Sequence, residues 1–175
     1  MTPWFIATER FAPSDARWGK YIAWSGLEQL DEVVSLDGTL CPSVPSHIKP
    51  EYWHHIVNEN FMLNFLIDLD HLRNETAEIH RKNILCVFRN PTGHPSSQVP
   101  EGFEVVGYDL VDKDSSISAL TNCGGFPQVF SNAELSEKGL LRNHERGREV
   151  QETLRQQYPN EHHADCYLWA LLRDK

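Results

Sequence analysis

The residues best suited to chemistry lie in the run Thr121-Asn122-Cys123-Gly124-Gly125-Phe126-Pro127. Two glycines after a cysteine permit positive φ and expose backbone amides. A Cys123 thiolate beside such amides has the parts of an acyl-transfer nucleophile, with N–H groups to hold an oxyanion. That chemistry needs a base. His162 and His163, just ahead of the last apolar run, are the candidates. Asn122, Gly124 and Gly125 would then bind the ligand. The plainer reading is a tight turn in which Cys123 is a small buried hydrophobe, and it is preferred.

A second constellation is made of arginines. Three apolar runs each end in one: Arg10, Arg89 and Arg173. If two of these runs are parallel strands, their arginines share a sheet edge, with Arg10 beside Arg89 or Arg89 beside Arg173. Two guanidinium groups in a cleft hold a carboxylate or phosphate bidentately. Asp109 or Glu9 could supply the carboxylate from within, which would make the cluster structural. Plain solvation of strand ends is the preferred reading.

Metal chemistry has less support. His54-His55 and His162-His163 are adjacent pairs, and Glu161, Asp165 and Cys166 flank the second. Neighbours on a strand point to opposite faces, so one pair rarely gives two ligands. Zinc sites show Cys or His two to four residues apart; His162 and Cys166 are four apart, but that step crosses from a turn into a strand. Phosphate-binding, dinucleotide, metalloprotease and serine-hydrolase signatures are all missing. No metal or cofactor is therefore expected. The cysteines at 41, 86, 123 and 166 are far apart. Free thiols in a reducing, cytoplasmic setting are expected.

Charge narrows the function classes. The chain has 25 acidic and 16 basic residues and a net charge of −9. That opposes general nucleic-acid affinity, which rests on phosphate neutralisation, and it opposes a polybasic membrane anchor. No apolar run approaches the ~20 residues that span a bilayer. An acidic, soluble protein of 175 residues, folded as one domain over 1–175, is expected. Its field would steer a basic partner towards it.

The elements that must position these residues follow from periodicity. Residues 4–8, 84–88 and 166–172 are apolar on both alternating faces and predict central strands. Residues 103–110 predict another strand, with Gly107 a candidate bulge and 117–121 a candidate partner strand. Residues 33–36 are a weaker strand candidate. Helices are predicted at 15–24 behind a Ser14 cap, at 61–73, and at 145–158 with Val150, Leu154 and Tyr158 in line. These pieces predict an α+β fold: one mixed sheet of about five or six strands with helices packed on it. Trp18, Trp24 and Trp53 fall outside the central strands and are candidate interface anchors. The stretch from Gly107-Tyr108-Asp109-Leu110 to Cys123-Gly124-Gly125 resembles small bacterial proteins and implies no activity.

The expected function is a non-enzymatic protein-binding module, regulatory or immunity-like. The alternatives are a Cys123/His hydrolase or transferase and a small-anion-binding domain built on the strand-end arginines.

Overall fold

The computed structural model describes residues 2–60, 63–122 and 125–175. In chain order its elements are β1 (Trp4–Glu9), α1 (Trp18–Ser25), β2 (Ile56–Asn60), β3 (Leu63–Leu66), α2 (Leu69–Glu75), β4 (Lys82–Arg89), β5 (Phe103–Asp112), α3 (His144–Gln157) and β6 (Cys166–Asp174). The six strands form one sheet in the order β2-β3-β1-β4-β6-β5. The fold is α+β, and every strand pairing is antiparallel where a mixed sheet was expected.

The runs that are apolar on both faces occupy the middle of the sheet, because only there are both faces covered. Phe5, Ala7, Cys86, Phe88, Leu168 and Ala170 point to the face that carries the helices, where Tyr21 of α1, Leu72 of α2 and Val150 and Leu154 of α3 meet them. Ile6, Leu85, Val87, Trp169 and Leu171 point the other way. No described helix contributes to that cluster; Val34, Leu36 and Leu140 from irregular segments cover it instead. Phe5, Ile6, Phe65, Leu85, Val87, Leu168 and Ala170 are buried, whereas Leu69 of α2 is only partly buried.

Local chemistry explains where the helices differ from their predictions. Asp15 accepts a hydrogen bond from the Arg17 backbone N–H at 2.8 Å, which closes a turn ahead of α1. The helix therefore starts at Trp18, and Ser14 accepts instead from Arg81. The predicted helix at 61–73 divides. Leu63–Leu66 is β3, with Leu66 opposite Phe5 in β1, and the helix begins only behind Asp68, which caps the His71 N–H. Its residues Phe61 and Met62 lie outside the described residues. The prediction at 145–158 is nearly met: α3 is His144–Gln157, capped by Asn143.

Gly107 sits at the register shift in β5 between Val105 and Gly107, so the bulge is present. Its φ is 148°, and a Cβ there would lie 2.7 Å from Leu140 Cβ and 2.9 Å from the Leu141 carbonyl. Only glycine fits such an approach. The weaker strand candidates reduce to single bridges, Phe11 to Val33 and Ser118 to Val111.

Candidate functional site: the cleft beside Trp24

Two buried carboxylates organise the loops that follow β1 and β5. Asp109 of β5 is fully buried. It accepts from the Ser35 hydroxyl, from the Leu36 N–H at 3.1 Å, from the Ser118 hydroxyl at 2.7 Å and from its neighbour Leu110 N–H at 2.9 Å. Burial pushes its pKa up to about 6; the serine and backbone donors oppose that rise, and the charge on Asp37 adds to it. Asp37, also buried, accepts from Thr39, from the Leu40 N–H, from the Ser118 N–H at 2.8 Å and from the Asn122 amide at 3.0 Å. This network fixes residues 118–122 against the sheet. Tyr21 of α1 adds a hydrogen bond to the Thr121 carbonyl at 2.9 Å. Asp109 and Asn122, expected as ligand contacts, are thus engaged by the protein itself.

The stretch so fixed forms one wall of a cleft of roughly 520 Å³. Trp24 and Ser25, at the end of α1, line it together with Leu27, Leu120, Phe126 and Phe130. Trp24 is 56% exposed. Thr121 also lines the cleft; its side-chain hydroxyl is buried and has no hydrogen-bond partner among the described residues. Gly125 lies on the lining with φ of 84°, a left-handed geometry that suits glycine. Cys123 and Gly124 lie outside the described residues. The sequence singles out Trp24 and the run from Thr121, but not Leu27, Leu120 or Phe130, which meet them only after folding.

The contacts of the two histidines among the described residues are these. His163 has its Nδ1 3.3 Å from the Ser115 hydroxyl and 3.6 Å from an Asp112 carboxylate oxygen. His162 is exposed, with its ring 6.0 Å from that of His163. The described cysteines, Cys41, Cys86 and Cys166, are buried, and no disulfide joins them. Burial pushes the Cys86 thiol up to about 12 and raises that of Cys41 strongly. Among the described residues no three His, Cys, Asp or Glu side chains gather as a metal site.

Strand direction decides the arginines. β1 and β6 both run antiparallel to β4, so they run parallel to each other. Arg10 and Arg173 therefore share an edge, and Arg89 lies at the opposite one; neither expected pair, Arg10 with Arg89 or Arg89 with Arg173, forms. The anion between Arg10 and Arg173 is internal. It is Glu32, 3% exposed, rather than Asp109 or Glu9. Glu32 accepts from Arg173, from Arg10 at 3.0 Å and from Lys138 at 2.9 Å. Its burial favours the neutral acid, but the hydrogen bonds and charges of Arg173 and Lys138 outweigh that and lower its pKa to about 2. Arg89 is exposed, with its guanidinium in cation–π contact with two aromatic rings.

No described helix is long and apolar enough to cross a membrane. No family model matches the chain, and no curated protein or solved structure matches it.

Proposed function

We propose that this chain is a protein-binding module that takes an apolar or aromatic side chain of a partner into the cleft beside Trp24. The observation that carries the reading is the exposed Trp24 indole at the edge of an apolar-lined cleft. Tryptophan with an adjacent desolvated pocket is the composition of an interface hot spot. A net charge of −9 supports a basic partner, whose encounter it would accelerate. A regulatory or immunity-like role suits such an interaction. Binding is favoured over catalysis because the described lining offers hydroxyls and an amide but no titratable side chain.

The test is capture of the partner from the native host, followed by affinity measurement with the purified pair. Trp24→Ala should weaken binding by roughly 30-fold, the scale of a hot-spot truncation. Trp53→Ala, which removes the other highly exposed tryptophan, should change it by no more than a few fold. The association rate should fall as salt is raised. A partner that binds Trp24→Ala as tightly as the parent protein refutes the reading.

A further inference from the structure

We infer that Arg89, held between Trp4 and Tyr167, is a binding site for a small oxyanion, a carboxylate or a phosphate group. Its guanidinium carbon lies 4.9 Å from the Trp4 ring centroid and 4.8 Å from that of Tyr167. Both rings belong to the sheet face turned away from the helices, next to Trp169. The arrangement follows from the register: Trp4 begins β1, Arg89 ends β4, and Tyr167 lies near the start of β6, so antiparallel pairing brings the three to one edge. The next residue is pinned. Asn90 donates its N–H to the Leu168 carbonyl at 2.6 Å, and its side-chain oxygen accepts from the Leu168 N–H at 3.0 Å and from Gln151 at 3.1 Å.

Cation–π contact with two rings, one on each neighbouring strand, restricts the guanidinium and leaves its N–H groups for hydrogen bonding. Among the described residues, those N–H groups have no protein acceptor. Arg10, Arg17, Arg73, Arg81, Arg142, Arg146, Arg155 and Arg173 each donate to one. Arg148 also lacks an acceptor, but no ring contact orders it. A guanidinium already restricted in this way loses little entropy on binding, and its fork matches carboxylate and phosphate alike. Lys113, 5.3 Å from the Tyr167 centroid, brings a second cation to the same ring, although Asp165 on the surface shares its charge. The net charge of −9 opposes an anion at long range, but salt screens it beyond about 8–10 Å, and the cation nearest the site is Arg89 itself.

The experiment is a nitrogen-15 NMR titration of the full chain at mildly acidic pH. Sodium phosphate and sodium acetate are added in separate arms, with sodium chloride at matched ionic strength as the control. The Arg89 Nε–H and Trp4 indole N–H signals, assigned through Arg89→Lys and Trp4→Phe, are followed against that of Arg148. The inference expects a saturating shift of Arg89 and Trp4 with one anion or both, while Arg148 drifts without saturation. Phosphate alone saturating identifies a phosphate-type ligand, and acetate alone a carboxylate. Arg89→Lys keeps the charge but loses the fork, and should bind roughly tenfold more weakly. If both anions move Arg89 no further than chloride does, or if Arg89→Lys binds as well as the parent, the inference is overturned.

Discussion

Replacing Glu32 by glutamine removes the one carboxylate that three cations share. The side chain is 4% exposed, and Arg173 and Lys138 beside it are 21% and 20% exposed, so solvent screens these contacts weakly. Arg10 is 46% exposed and contributes less. A fall in pKa from 4.5 to about 2 corresponds to roughly 3 kcal/mol favouring the fold. The sign follows from the direction. A carboxyl whose folded pKa lies below its unfolded one stabilises fully above the unfolded value, and loses that contribution as pH falls through the folded value. Glu32→Gln should therefore cost roughly 3 kcal/mol at neutral pH, since it also leaves Arg10, Arg173 and Lys138 crowded together. Somewhat more than half of that cost should vanish by pH ~3, which lies between the unfolded and folded pKa values. Urea unfolding followed by circular dichroism, at neutral pH and near pH ~3, measures both values. A neutral-pH cost below about 1 kcal/mol would refute the central role given to Glu32. So would a cost that does not shrink with acid.

Two further perturbations test the interior. Asp109 has the opposite sign to Glu32: burial raises its pKa to about 6, so its proton favours the folded state and its contribution declines as pH rises from about 4 through about 6. Asp109→Asn should lack that decline in urea titrations across the window; an unchanged slope would mean the network leaves Asp109 ionised throughout. At Gly147 of α3, a Cβ would lie 2.7 Å from the Leu168 side chain. Gly147→Ala should destabilise by about 1–3 kcal/mol through overpacking, despite alanine's better helix propensity. Leu168→Ala alone should cost roughly 2–5 kcal/mol, and the double variant less than the sum, because the new methyl partly fills the cavity. Strict additivity in thermal or urea unfolding would show that the two positions do not press on each other.

The central strands were legible because two-face apolarity is a local property: Phe5, Ile6, Leu85, Val87, Leu168 and Ala170 alternate within their own segments and are buried for that reason. The same held for α3, where Val150 and Leu154 mark one edge, and for the Gly107 bulge. The sequence could not assign residues 63–66. Their spacing with Leu69 and Leu72 fits a helix, and only pairing with β1, some sixty residues away, makes them a strand. Strand direction was equally out of reach, and it set the fate of the arginines. Antiparallel order separated Arg89 from Arg10 and Arg173, and let Glu32, which carries no local mark, reach the latter two. The cleft is the extreme case. Trp24, Leu27 and Phe130 face one another because Asp37 and Asp109 bind backbone and side chains across more than seventy residues. Periodicity determines which residues a segment buries; which segments meet is decided by non-local hydrogen bonds and by competition among faces for the same core, and those exist only in the folded chain.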